Sequence, residues 1–347
     1  MQAEQIADIV TAVQDIERPG TYELLVTELQ DYPAMNRLFK GKGRKGKGRK
    51  EKGGEQLSFN VQVASNESAQ TTSLFAEIDL SQADLIKKGR VPWRHVTNYY
   101  LFDEREPELN SSPQDAIDIV KARRTDCVLD LAVKFEPWFW GKPSGTETAD
   151  DAPIFGVQYW ICRVNTNTEG AFQGGDPAGF AGGAAGLPAA TYPQYQNWSN
   201  GYKNVDEDDF LARLDLATYK TGFKNPVAIP GSERSRYGYY TNYDVSRGLD
   251  AIAKSRNDNL GWDLATRRSV YKGTGIDPVP YLDGDSEDPF YGIDWSVFTP
   301  YFLRGEWMKE ITVMRPGKQH RVVATFMDSS LNIACRNRRK LFVLYKV

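Results

Sequence analysis

Few residues in this chain are suited to chemistry: two His, three Cys and scattered carboxylates. His95 lies in an aromatic strand pattern and His320 opens a strand after a turn. Neither has HExxH spacing or a neighbouring Cys, so a structural or surface role is expected for both. Cys127 falls on a helix, Cys162 in an apolar run and Cys335 at a strand end, and free Cys in such places is usually a small buried hydrophobe. Serine catalysis has no support, because neither GxSxG nor SxxK occurs. The acids of DGDSED (Asp283, Asp285, Glu287, Asp288) supply oxygen ligands at DxDxxD spacing and could bind calcium. The segment lacks the glycine and the distant Glu of an EF-hand loop, so a solvated turn is the favoured reading. EPWFWGK (136–142) could stack on sugars, but aromatics at a helix end are more often core. A carboxylate pair for glycoside chemistry remains open to any fold, and no spacing points to one. No metal or cofactor is expected, and nothing positive indicates an enzyme.

The strongest local signal is charge. Residues 40–52 read KGKGRKGKGRKEK, eight cations (Lys40, Lys42, Arg44, Lys45, Lys47, Arg49, Lys50, Lys52) against Glu51. That segment carries +7, which leaves −10 on the other 334 residues of a chain whose sum is −3. A glycine-spaced cationic strip repels itself and buries no apolar surface, so it orders only on something anionic. Nucleic acid, a targeting receptor, an acidic protein surface, or no partner at all are the competing readings. Two motif matches inside it are spurious. Gly41, Gly43 and Gly46 follow no strand, and the GxxxxGK at 41–47 is followed by Gly48 where a P-loop needs Ser or Thr.

The elements that would position these groups come from periodicity. Ile6, Ile9, Val10, Val13 and Ile16 make a helical stripe ended by Pro19-Gly20, and a short second helix fits 21–30. Leu57, Phe59, Val61 and Val63 alternate, as do Leu74, Ala76, Ile78 and Leu80, which predicts a hairpin of these two runs. Val91 to Phe102 reads as a strand. Ser112 as N-cap, Pro113 at N1 and Asp115 start a long helix that Pro137 should end, about 36 Å at about 1.5 Å per residue. A buried strand is expected at 154–164, a Gly/Ala loop at 170–190, and helices from Asp206 to Lys220 and over 244–256. The last third reads as short strands (ITVM, RVVATFM, LNIAC, KLFVLYKV) broken by RPGK, DSS and RNRR. The class is α+β.

Composition fits a folded chain, with 8 Trp, 18 Tyr and 16 Phe for a core, and three Cys exclude a disulfide scaffold. The start MQAEQIADIV lacks the basic region of a secretory signal, and no run approaches about 20 apolar residues, so no membrane span is expected and synthesis in the cytoplasm is.

The ordered pattern resembles the HK97-like major capsid proteins of tailed bacteriophages. It is carried by the N-terminal arm, the hairpin region at about 40–80, and the segment VPWRHVTNYYLFDEREPELNSSPQDAIDIVKARRTDCVLDLAVKFEPWFW. DEDDFLARLDLATYKTGFKNP, YGIDWSVFTPYF and GKQHRVVATFMDSSLNIACRNRRKLFVLYKV carry the rest. The resemblance implies an arm at 1–35, an E-loop hairpin at 36–90, a P domain from 91–135 and 265–347 with a long spine helix and sheet, and an A domain at 136–264. It also implies a structural virion subunit that self-assembles into an icosahedral head around double-stranded DNA. The implied partners are copies in hexamers and pentamers, a portal, possible decoration proteins and packaged DNA contacted without sequence specificity. The absence of a long extension before the arm suggests a separate scaffolding protein.

The charge division then predicts that the strip 40–52 docks on acidic surface of a neighbouring copy, with Asp283, Asp285, Glu287 and Asp288, or residues 206–209, as acceptors. Two other functions compete. A nucleic-acid binder would use the strip on phosphates, against repulsion from the −10 remainder. A carbohydrate-active enzyme or lectin would line a cleft with the aromatics.

Overall fold

The computed structural model describes residues 49–51, 53–64, 71, 84–105, 113–143, 153–164, 170–222, 237–256, 270–272, 274–314, 317 and 321–347. The arm helices expected at 3–17 and 21–30 lie outside them, as do the N-cap Ser112 and the second predicted hairpin strand at 74–80.

Two large sheets organise the described residues. The first has five strands: β1 (Arg49–Glu51), β11 (Phe298–Leu303), β13 (Val322–Cys335) and β12 (Lys309–Met314) in sequence of pairing, with β4 (Arg94–Asp103) also on β13. The second runs β5 (Ala171–Gly174), β6 (Asn197–Tyr202), β14 (Phe342–Lys346), β10 (Phe290–Asp294), β7 (Tyr237–Thr241), β9 (Thr274–Pro278), β8 (Val270–Tyr271). In it β6 with β14 and β7 with β9 are parallel, the others antiparallel. Residues 265–347 supply strands to both sheets. A two-stranded hairpin of β2 (Gln56–Gln62) and β3 (Ile86–Pro92) completes the set.

The long helix α1 runs Pro113–Trp140, past the predicted stop at Pro137. Proline lacks the N–H that would bond the Val133 carbonyl, but Val133 is exposed, so water can take that acceptor. The Pro137 carbonyl still accepts from the Gly141 N–H at 2.9 Å. Beyond it Phe139 and Trp140 are fully buried, and Trp140 packs on Tyr240 and Tyr291 while Phe139 stacks on Trp295. Burying two large aromatics contributes more than one missing helical bond costs. The EPWFWGK aromatics are therefore core at their centre, with Trp138 partly buried against it.

α1 lies on the five-stranded sheet through Tyr100 and Phe102, the inward residues of β4. Arg124 of α1 forms a buried ion pair with Glu310 of β12 at 2.8 Å, side chains 4% and 2% exposed. Asn98 of β4 donates to the Cys127 carbonyl at 2.9 Å, so polar groups also fix the helix on the sheet.

Several sequence expectations are sharpened or corrected. Residues 56–62 pair with 86–92, Leu57 opposite Val91 and Phe59 opposite Gly89, while the expected partner 74–80 lies outside the described residues. Alternation marks a strand without naming its partner. Gly89 suits the position because a Cβ there would lie 2.9 Å from the Phe59 ring. The 154–164 segment contains the one-turn helix α2 (Val157–Trp160) in extended chain, and no strand. It is buried on every side, which erases the periodicity that separates strand from helix. DSS does not break the C-terminal strand, since β13 is continuous over 14 residues. Its polar residues are satisfied across the sheet: Ser329 Oγ accepts from the Met308 N–H at 3.1 Å, and Ser330 Oγ meets His95 Nδ1 at 2.8 Å.

Other expectations hold. A helical run starts at Asp206, whose carboxylate accepts from the Asp209 N–H at 2.7 Å, passes a π turn at Glu207–Leu211 and continues as α3 (Ala212–Lys220) to Gly222 at φ 60°. α4 spans Tyr243–Arg256. Phe210 and Leu214 bury against Phe290, Phe342 and Leu344 of the seven-stranded sheet, a second core beside the one under α1.

Candidate contact surfaces

Of the basic strip, only Arg49, Lys50 and Glu51 are described, as β1. They pair in parallel with β11, Arg49 opposite Tyr301 and Glu51 opposite Leu303. Lys40, Lys42, Arg44, Lys45, Lys47 and Lys52 lie outside the described residues. The end of a segment read as a solvated cationic strip thus pairs along an edge of the five-stranded sheet.

The acids of DGDSED stand elsewhere, on the turn that leads into β10, and the fold gives each an internal partner. Arg163 reaches Asp285 at 2.5 Å and Glu287 at 2.8 Å, donates to the Tyr291 hydroxyl at 2.6 Å, and lies over that ring. Burial opposes the charge on Asp285, yet the Arg163 hydrogen bonds and charge outweigh it and hold the carboxyl below its ordinary value. Burial likewise works against the Arg163 charge, and Tyr291, Asp285 and Glu287 together raise its pKa. Asp288 accepts from Asn242 at 2.6 Å and pairs with Lys346 at 3.3 Å. Asp283 accepts from the Tyr243 N–H at 2.7 Å, at the start of α4. These groups tie the 153–164 segment, the turn and β10 together. No cluster of metal-ligating side chains occurs among the described residues.

The second acidic group is also structural in part: Asp209 accepts from the Lys203 and Asn204 N–H groups and pairs with Arg213, while Glu207 and Asp208 are exposed.

The chemical candidates resolve as follows. All three thiols are free and buried; burial pushes Cys127 and Cys335 up to about 12 and Cys162 upward, opposite to what a nucleophile needs. His95 is an exposed partner of Ser330, and His320 lies outside the described residues. Among the described residues no helix is long and apolar enough to cross a membrane.

Three features lie beyond the sequence expectations. Arg338, within RNRR, is fully buried and donates to the carbonyls of Trp160, Gly174, Gly175 and Tyr195, to Asn197 Oδ1 and to Cys162 Sγ. Glu136 is buried on α1, accepts from Trp140 Nε1 at 2.6 Å, and has no hydrogen-bond partner for Oε2. Desolvation pushes its carboxyl up to about 7. The third is the sheet face away from α1. Register places Tyr99, Phe326 and Ile311 in one row and Leu101, Ala324 and Val313 in the next. Tyr99 is 56% exposed and Ile311 41%, so this face presents large apolar side chains to solvent. Alternation in β4 and β12 could have flagged it, because both faces of each strand carry apolar residues.

No family model and no curated protein matches the sequence. Solved structures do match. The chain superposes on a chain of the cyanophage A-1(L) capsid asymmetric unit with a TM-score of 0.63 at 12% identity, covering 90% of this chain and 92% of that one. A chain of Mycobacterium phage Bobi matches with a TM-score of 0.51 at 8% identity, covering 89% and 93%. The chain has the HK97-like capsid fold.

Proposed function

We propose that this protein is a structural subunit that assembles with its copies into the icosahedral head enclosing the double-stranded DNA of a tailed phage. One observation carries the reading: the likeness to the cyanophage capsid chain extends over nine-tenths of both chains, so it concerns the whole molecule and not one shared motif. The three buried thiols and the internally paired acids support a structural role over a catalytic one. The exposed apolar rows on the five-stranded sheet suit a molecule that completes its burial against other chains.

In this reading residues 36–90 form the E-loop, 91–135 with 265–347 the P domain and 136–264 the A domain. Copies meet in hexamers and pentamers, with a separate scaffolding protein, a portal and decoration proteins as further partners. The strip 40–52 docks on acidic surface of a neighbour. Among the described residues the four carboxylates at 283–288 meet the cations Arg163 and Lys346, so that turn keeps negative charge to offer, as does the exposed Asp208.

The test is the mass of purified protein in solution together with negative-stain images. Shells or capsomeres are expected. A 39.1 kDa particle that stays monomeric at every concentration and with scaffolding present would overturn the reading.

A further inference from the structure

The turn after β13 reads RNRRK, and its arginines divide into two kinds. Arg338 is buried and saturated by the six acceptors described above. Arg336 and Arg339 are held by neutral groups only. Arg336 donates to the Tyr301 hydroxyl from Nε at 3.2 Å and Nη2 at 2.9 Å. Arg339 donates to Gln194 Oε1, and its guanidinium lies 4.1 Å from the centre of the Phe172 ring. Neither takes part in an ion pair among the described residues.

Both line a cavity of about 270 Å³ between the end of hairpin strand β2 and the body of the protein. Val61, Gln62, Gln194 and Asn337 contribute to its walls, and none of the described lining residues is acidic. A second cavity, about 400 Å³ around Arg163, makes the contrast. There Asp176, Asp285 and Glu287 outnumber Lys142 and Arg163, so each cation is matched within the chain. At the first cavity no described lining acid matches Arg336 or Arg339, in a protein with 46 acidic residues.

We propose that Arg336 and Arg339 form a carboxylate-binding site for an acidic side chain of a second copy of this chain. Tyr301, Gln194 and the Phe172 ring fix the two guanidiniums without using up their charge, which leaves N–H donors in fork geometry for an oxyanion. A recess with an apolar wall at Val61 admits an Asp or Glu side chain on its aliphatic stem. Duplex phosphates lie on a convex rod and reach such a recess poorly. Because the cavity joins the hairpin to the body, an occupant would also hold the hairpin in one orientation. The partner in this inference rests on the assembly reading; the carboxylate chemistry does not.

The experiment compares wild type with Arg336→Gln/Arg339→Gln, the strip 40–52 being intact in both. The probe is hexaglutamate, titrated into dissociated subunits. Both arginines stand at the surface, and unchanged circular dichroism and Tm would show that the variant folds. The variant should bind at least about tenfold more weakly, and Arg336→Lys/Arg339→Lys, which keeps charge without the planar fork, should fall between. Equal binding by wild type and the Gln variant overturns the site. Binding of a 20-base-pair duplex that depends on these arginines, with hexaglutamate ignored, overturns it in favour of phosphate. Assembly distinguishes the second copy: shells from wild type but not from the Gln variant support it, and equal yields overturn it. If wild type itself forms no shells while the peptide result holds, the capsid reading fails and the carboxylate site stands.

Discussion

Glu136→Gln should stabilise this protein at alkaline pH and do little in acid. Glu136 is 2% exposed on α1, and desolvation raises its carboxyl from 4.5 to about 7. For a carboxylic acid the sign is unusual. Between those two values the folded chain holds the proton and the unfolded chain has released it, so unfolding free energy falls as pH rises. At about 1.4 kcal/mol per unit, the charged form costs the native state about 3 kcal/mol once pH exceeds 7. Glutamine keeps a carbonyl for the Trp140 N–H and cannot ionise. Its amide N–H₂ replaces an oxygen that has no partner, a penalty that does not vary with pH. The difference of differences is therefore the informative quantity. From pH 5 to pH 8.5 the advantage of Gln over Glu should grow by about 2 to 3 kcal/mol. Urea unfolding of dissociated subunits, followed by circular dichroism at fixed low protein concentration, measures it without a contribution from association. A variant whose stability difference changes by under about 0.5 kcal/mol across that range would refute the argument, because a solvated carboxyl has no reason to titrate near 7.

Three further outcomes are expected. Glu310→Gln should cost about 3 to 5 kcal/mol in urea unfolding by removing a carboxylate from the buried Arg124 guanidinium, whereas Arg124→Met/Glu310→Leu should recover most of the loss; equal damage from both would show that the ion pair is not what Glu310 provides. Arg338→Lys keeps the charge but offers three donors to six acceptors, so thermal unfolding should reveal a loss of about 3 kcal/mol, and an unchanged Tm would contradict the clamp. Changing the eight cations of 40–52 to Ser should lower the yield of assembled particles, most at low ionic strength where Coulomb attraction is least screened; full yield at every salt concentration would remove the strip from assembly.

Much of the local structure was legible. The Asp206 cap with its acidic first turn marked α3, Pro113 lay at the start of α1, and the apolar alternation of 57–63 marked β2, because capping and alternation are set by residues within one turn or two positions of each other. The failures share a cause. Pro137 should have ended α1, DSS should have broken β13, and 154–164 should have been a strand, and in each case packing or cross-strand bonding from distant residues overrode a local preference. The acids at 283–288 show the same limit, since their composition suggested a free surface and the fold supplied Arg163, Lys346 and Asn242.

By itself, then, the sequence determined the α+β class, the caps and periods of single elements, and the division of charge into a +7 strip and a −10 body. Charge counts and short-range periodicity need no knowledge of what lies opposite. The tertiary structure alone decided that β2 pairs with 86–92, that Arg338 is buried while Arg336 and Arg339 are not, and that Glu136 loses its water. Those outcomes depend on which distant residues share a neighbourhood. For a buried polar group the surroundings matter more than the residue type, because desolvation and hydrogen bonding are paid at the site where the chain closes on itself.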